Sequence, residues 1–153
     1  MLEAGSKAPN FTAPTDREGE LTLSDLQGQK VVLYFYPKDD TPGCTKQAIG
    51  FTEQLNAFTK AGAVVIGVSK DPVKKHDKFI AKYGLKIRLV SDEDVAINEA
   101  YGVWVEKSMY GRRYMGTNRS TFLIDEAGII QQIWSKVKVP GHVEEVLKAV
   151  QEL

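Results

Sequence analysis

The sequence predicts an α/β fold in which a central mixed β-sheet is covered by helices on both faces. Two apolar runs rich in β-branched residues, 30–36 and 63–68, are typical of strands buried on both faces. A helical pattern follows each run, which favours parallel strands joined by crossover helices. Two further strands, 121–125 and 129–134, flank a turn that contains Gly128, so an antiparallel pair completes the sheet.

The first predicted helix begins near Thr41 and Pro42, with Thr41 as its N-cap, and Gly62 ends it. Its apolar residues recur at spacings of three and four, namely Ala48, Phe51, Leu55 and Phe58. The remaining predicted elements are a helix over 72–83, a strand over 87–90, a helix over 95–101 and a final amphipathic helix over 142–153. This order, β-α-β-α-β-α followed by β-β-α, is that of a thioredoxin-like fold. We expect residues 1–153 to form one domain.

Composition excludes several classes of function. The chain has 153 residues, of which 42% are hydrophobic, and its 20 Lys and Arg balance its 20 Asp and Glu. A basic field for nucleic acid is therefore absent, and no apolar run is long enough to span a membrane. The N-terminal residues lack the pattern of a secretory signal, and one cysteine cannot form an internal disulfide framework. We therefore expect a cytoplasmic protein.

The single cysteine, Cys44, lies where a loop that leaves a buried strand turns into a helix. Free N–H groups and the positive end of the helix dipole favour a thiolate over a thiol there, and the thiolate is the reactive form. The junction also places the sulfur at the carboxyl end of the sheet, where open α/β sheets carry their sites. The competing interpretation is a small buried hydrophobic residue without chemistry.

Spacing argues against other cysteine chemistries. A dithiol oxidoreductase needs a second cysteine at position 47, which is Gln47, and a phosphate-binding Cys-x5-Arg loop needs an arginine at position 50, which is Gly50. His76 lies in a lysine-rich helix start, so we expect it at the solvated surface. His142 begins the last helix, where we expect capping or solvation. Neither histidine is predicted to act as the base of a cysteine protease. Two histidines and one cysteine also make a poor zinc site.

The stretch from Pro37 to Cys44, PKDDTPGC, fits the Pro-x-x-x-Thr-x-x-Cys signature and resembles the peroxiredoxins. The longer segment 35–46 is similar to their bacterioferritin comigratory protein (PrxQ) branch. Further matching segments occur in the family's order along nearly the whole chain, at 5–11, 67–71, 89–92, 101–104, 106–107 and 119–125.

The resemblance implies a thiol-dependent peroxidase that reduces hydrogen peroxide and small organic hydroperoxides without a cofactor. By this resemblance Cys44 is the peroxidatic cysteine, whose thiolate attacks the peroxide and becomes a sulfenic acid. Thr41 would direct its hydroxyl at the thiolate and the peroxide, Pro37 would shield the pocket, and Arg119 would stabilise the thiolate and the developing charge. Gln47 could help to orient Arg119. Taken singly, Pro37 is better explained as a strand end, Thr41 as a helix cap and Arg119 as a solvated charge. Their joint occurrence at the family's spacing favours the catalytic roles instead.

The chain departs from the family pattern in lacking a resolving cysteine. Many members carry it five residues after the first, at Ile49 here, and others carry it in the region 79–83. We therefore expect a one-cysteine mechanism, with sensitivity to overoxidation, in which an external thiol restores Cys44: thioredoxin, glutaredoxin, a low-molecular-weight thiol or Cys44 of another subunit. The expected state is a monomer or a weak homodimer. A peroxide sensor and a holdase-like chaperone on the same fold remain alternatives.

Overall fold

A computed structural model describes residues 1–153. Its strands in chain order are β1 (Thr12–Thr15), β2 (Gly19–Thr22), β3 (Lys30–Phe35), β4 (Ala63–Ser69), β5 (Arg88–Ser91), β6 (Trp104–Met109), β7 (Arg112–Thr117), β8 (Ser120–Ile124) and β9 (Ile130–Trp134). Its α-helices are α1 (Pro42–Glu53), α2 (Leu55–Lys60), α3 (Val73–Tyr83), α4 (Ala96–Ala100) and α5 (His142–Glu152), and a short 3₁₀ helix covers Leu23–Leu26. None of these helices combines the length and apolar character needed to cross a membrane.

Seven strands form the central sheet in the order β2-β1-β5-β4-β3-β8-β9. Strand β3 lies between β4, to which it runs parallel, and β8, to which it runs antiparallel. The five residues of β3 after Lys30 are all buried, as expected for a continuous apolar run in the middle of a sheet. The thioredoxin-like mixed sheet is therefore confirmed, with strand bounds that differ from the predicted ones by about a residue.

Alternate residues of β3 pack into two separate hydrophobic cores, one on each face of the sheet. Val32 and Tyr34 face a core that α1, α2, α3 and α5 cover, where Phe51 and Phe58 are fully buried. Leu33 faces the opposite core, which is closed by α4, the 3₁₀ helix and the N-terminal segment. Helices on both faces of the sheet were predicted, and the period of two along β3 is the physical reason that one strand can serve both layers.

The structure corrects the helix predicted to run from Thr41 to Gly62. The chain leaves helical geometry at Gln54, so that α1 and α2 are separate helices, and Gly62 follows with a φ of +82°. Phe51 and Phe58 nevertheless pack with ring centroids 5.7 Å apart. Because the apolar spacing continues across the break, the sequence pattern does not register the one-residue interruption.

Two hairpins lie outside the predicted elements. Strands β1 and β2 extend the sheet beyond β5, and they are short and partly polar, so no apolar alternation marks them. Strands β6 and β7 form a separate two-stranded sheet whose residues are mostly exposed. Their turn, Tyr110-Gly111, has positive φ at both residues, which is typical of the tight hairpin turns that fit the twist of paired strands.

Candidate active site

Cys44 is the third residue of α1, and its side chain is 2% exposed. Thr41 is the N-cap with extended backbone, and Pro42 occupies the first helical position, where its missing N–H costs nothing. No side chain caps this helix start. The N–H groups of Gly43 and Cys44 therefore stay available to the sulfur or to an oxygen bound beside it.

Arg119 reaches Cys44 although 75 positions separate the two residues. It immediately precedes β8, and the antiparallel register pairs Ser120 with Phe35, so the start of β8 and the end of β3 lie at the same edge of the sheet. Nη2 of Arg119 donates to Sγ of Cys44 over 3.3 Å, and Nη1 donates to Oε1 of Gln47 over 2.6 Å. One planar guanidinium thus binds the sulfur and is itself oriented by a residue one helical turn further along α1.

Thr41 and Pro37 lie in the same loop, but the structure does not pair either of them with the sulfur. The hydroxyl of Thr41 donates to the carbonyl oxygen of Lys38 over 2.8 Å. Its oxygen keeps lone pairs that can accept a hydrogen bond from a ligand. Pro37 is half-buried directly after the strand and Tyr36.

Gly43 lets the helix start approach the guanidinium. A Cβ atom at this position would lie 3.3 Å from Nη2 of Arg119 and 3.8 Å from a methyl group of Val139. The first of these distances is tighter than ordinary contact. The absence of a side chain at Gly43 is therefore part of what allows Arg119 to reach Cys44.

Two buried donors near the cysteine have no hydrogen-bond partner, the hydroxyl of Tyr34 and Nε2 of Gln47. The Tyr34 ring stacks on Phe51 at 4.7 Å, and Cys44 belongs to the same core. Burial first, and then the negative charges of Cys44 and Asp39, raise the pKa of Tyr34 well above 10.0, so the phenol stays neutral. The sequence offered no signal for this tyrosine beyond its place in a buried strand.

Lys107 is a second residue that the sequence did not mark as part of the site. It projects from β6, where its stem packs over Gly116, and it is half-buried. Burial lowers its pKa, the positive charge of Arg119 lowers it further, and the charge of Cys44 opposes both effects. The β6–β7 hairpin thereby brings a second cation to the neighbourhood of the sulfur.

His76 is fully buried, so the prediction that it lies at the solvated surface is wrong. Its Nδ1 lies 2.6 Å from Oδ2 of Asp39 and its Nε2 lies 3.0 Å from the carbonyl oxygen of Val90. The lysine-rich neighbourhood was misleading, since those lysines occupy the outer face of α3. A helical spacing of three and four residues to Phe79 and Ile80, both buried, was the available signal.

His142 does begin the last helix, as predicted, but it is also buried. Its Nε2 lies 2.8 Å from the hydroxyl of Thr121, and its ring packs edge-on against Trp134. Burial lowers the pKa of His142; Glu145 opposes this, and the charge of Arg119 adds to it. His142 is therefore neutral near pH 7, and its contact with Thr121 joins the start of α5 to β8 close to Arg119.

A buried cysteine at a helix start on a thioredoxin-like sheet, with an arginine that donates a hydrogen bond to its sulfur, places the protein among the cysteine-dependent oxidoreductases. Residues 4–133 match the model of the AhpC/TSA family, and the chain belongs to that family. The resemblance to the Bcp/PrxQ peroxiredoxins is likewise confirmed by the relatives described below, and the protein is a thiol-dependent peroxidase.

Similar proteins come from several bacteria. A provisionally named peroxiredoxin bcp of Coxiella burnetii is 56% identical over 95% of this chain and 97% of its own length. Peroxiredoxin Bcp of Bacillus subtilis is 44% identical over 99% of this chain and 97% of its own length. A cysteine-to-serine mutant of PrxQ from Xylella fastidiosa has a structure that superposes with a TM-score of 0.95 at 42% identity, covering 99% of this chain and 97% of that one.

Proposed function

We propose that Cys44 is the peroxidatic cysteine and that Arg119 is its principal partner in catalysis. The observation that carries this proposal is the 3.3 Å contact from Nη2 of Arg119 to Sγ, with the same guanidinium held by Gln47. A guanidinium remains charged throughout the accessible pH range and offers several fixed donors. Because it is placed before the substrate arrives, it can stabilise charge as that charge develops.

The first half of the cycle is a displacement at oxygen. The thiolate of Cys44 attacks the terminal peroxide oxygen, a sulfur–oxygen bond forms, and the O–O bond breaks. The electron pair leaves with the second oxygen, which takes up a proton to become water or an alcohol. The two available N–H groups at the helix start and the guanidinium of Arg119 can bind the two oxygens while the bond stretches, and Thr41 can accept a hydrogen bond from the peroxide.

The second half uses an external thiol, because Cys44 is the only cysteine in the chain. A thiol attacks the sulfenic acid, water leaves, and a mixed disulfide forms. A second thiol then releases Cys44 and yields an oxidised donor. The donor is a low-molecular-weight thiol, glutaredoxin or thioredoxin, and with Cys44 only 2% exposed, a protein donor requires the helix start to open.

The substrates are hydrogen peroxide and small organic hydroperoxides. A related structure, the bacterioferritin comigratory protein of Xanthomonas campestris, comes from a study of its alkyl peroxide reduction activity, at 45% identity and a TM-score of 0.89 over 93% of this chain and 90% of that one. We place the enzyme in the cytoplasm, where its free thiol stays reduced between turnovers. It works as one domain, residues 1–153, and as a monomer or weak homodimer.

The test compares the wild type with Cys44→Ser for consumption of hydrogen peroxide with dithiothreitol as reductant. Loss of all turnover in the variant, with unchanged thermal unfolding, is the expected result. Equal rates would overturn the proposal. Mass spectrometry of the peroxide-treated wild type, with and without glutathione or reduced thioredoxin, then identifies the sulfenic acid, its adducts and the donor that removes them.

A further inference from the structure

A buried polar cluster lies behind the loop that carries Cys44. We define the His76 cluster as Tyr36, Asp39, Asp71 and His76 together with the carbonyl of Val90. Asp39 is its centre: its Oδ1 accepts from the Tyr36 hydroxyl over 2.6 Å, its Oδ2 lies 2.6 Å from His76, and its N–H donates to Asp71 over 2.8 Å. All four side chains are buried, so these contacts are shielded from water.

Both ring nitrogens of His76 face oxygen atoms. Nδ1 faces the Asp39 carboxylate, and Nε2 faces the Val90 carbonyl. A neutral imidazole carries one N–H, so both contacts are hydrogen bonds only when the His76 and Asp39 pair holds one further proton. Whichever of the two residues carries that proton, its loss turns one contact into a lone pair facing an oxygen, which is costly in a buried site.

The groups around His76 favour keeping this proton. Asp39 approaches from the loop, Asp71 from the segment before α3, and the Tyr36 phenol from the end of β3, while Asp71 has Lys75 at 3.9 Å on its exposed side. Burial alone lowers the pKa of His76, but the hydrogen bond and charge of Asp39 outweigh it and the pKa lies above 6.5. The phenol stays neutral, because burial and Asp39 raise the pKa of Tyr36 well above 10.0.

The cluster is connected to the cysteine through a short turn. Asp39 lies inside the turn that the Thr41 hydroxyl closes on the Lys38 carbonyl, and Thr41 is the N-cap of the helix that begins with Cys44 in its first turn. The next residue, Asp40, has a φ of +58°, a conformation that non-glycine residues rarely adopt. Lys82 and Tyr83 hold its carboxylate, so two neighbouring aspartates attach the loop to α3.

We propose that His76 is a positioning residue for peroxide reduction, which holds the Pro37–Thr41 loop through Asp39 so that Cys44 meets Arg119. Loss of the proton shared by His76 and Asp39 loosens that loop and slows the reaction of the thiolate. This inference rests on the proposed role of Cys44. It adds a descending alkaline limb to the pH profile, on top of the rise that ionisation of a thiol produces.

The experiment measures the second-order rate constant for peroxide from about pH 6 to about pH 9, divided by the thiolate fraction from ultraviolet absorbance. For the wild type we expect this corrected rate to fall on the alkaline side. For His76→Gln we expect a rate about ten- to a hundredfold lower near neutral pH and no alkaline fall. Lys78→Gln, an exposed substitution on the same helix, is the matched control and keeps the wild-type profile.

Two results would overturn the proposal: a corrected rate in His76→Gln equal to that of the wild type, or an alkaline fall that persists in the variant. The second would assign the fall to another group, such as Lys107. If His76→Gln does not fold, nitrogen NMR of labelled histidine in the wild type decides the question, since the alkaline limb must coincide with the titration of His76. Activity that survives Cys44→Ser would instead refute the proposed function, so the two failures are distinguishable.

Discussion

Replacing Arg119 by Lys keeps a positive charge near Cys44 but removes the planar fork. The guanidinium makes one hydrogen bond to Sγ and a second to Gln47, at 3.3 Å and 2.6 Å. A lysine ammonium cannot make both in the same geometry, and Gln47, fully buried, already has an amide nitrogen without a partner. A hydrogen bond to a charged group contributes about 1.5–3 kcal/mol. Its loss in the transition state predicts a roughly 10- to 150-fold slower reaction with peroxide.

The assay for Arg119→Lys is stopped-flow measurement of Cys44 oxidation under single-turnover conditions, so that the reductant does not limit the rate. Arg113→Lys is the matched control, because Arg113 is exposed on β7, where it pairs with Glu106 over 3.4 Å. An exposed pair of this kind contributes little, and the control should react as the wild type does. A rate for Arg119→Lys within twofold of that control would show that charge alone, and not the fork, serves the reaction.

Three further predictions concern the helix start and the buried histidines. Gly43→Ala puts a Cβ atom 3.3 Å from Nη2 of Arg119, so the rate of peroxide reduction should fall severalfold. Thermal stability should be unchanged or higher, because alanine favours the helix, and an unchanged rate would contradict the prediction. The pKa of His76 is raised and that of His142 is lowered. The raised pKa of His76 stabilises the folded state below about pH 6.5, and this contribution is lost as the pH rises through the pKa of His76 in the folded protein. The lowered pKa of His142 acts in the opposite direction: its contribution is present above about pH 6.5 and is lost as the pH falls through the pKa of His142 in the folded protein. The unfolding midpoint should therefore fall on both the acid and the alkaline side of about pH 6.5, and His142→Asn should reduce the fall on the acid side only. Ile49→Cys supplies a thiol whose Cα lies about 8–9 Å from that of Cys44 along an ideal helix, beyond disulfide reach of about 7 Å. We expect peroxide to form an internal disulfide in this variant, with less sulfinic acid than in Ile49→Ser by mass spectrometry, because the first turn of α1 unwinds; absence of the disulfide would contradict that unwinding.

The middle of the central sheet could be predicted because β3, β4 and β8 are apolar runs that are buried almost throughout, and the structure confirms the thioredoxin-like fold inferred from them. The polar hairpins could not be predicted, since β6 and β7 bury little surface and therefore carry no apolar alternation. The break at Gln54 was also missed, because the residues on either side keep the same apolar spacing. Exposed pairing and single-residue interruptions leave little trace in a hydrophobic pattern.

The place of Cys44 follows from the sequence alone, because a buried strand, a Pro- and Gly-containing loop and a helix start are all local features. The sequence also shows that Cys44 is the only cysteine, so the chain cannot form an internal disulfide. The contact of Arg119 with the sulfur could not be derived from the sequence, because it depends on the register of β8 against β3 in the folded chain. The burial of His76 against Asp39 was likewise decided by packing, since a charged helix has one inward face and composition alone does not say which residues lie on it.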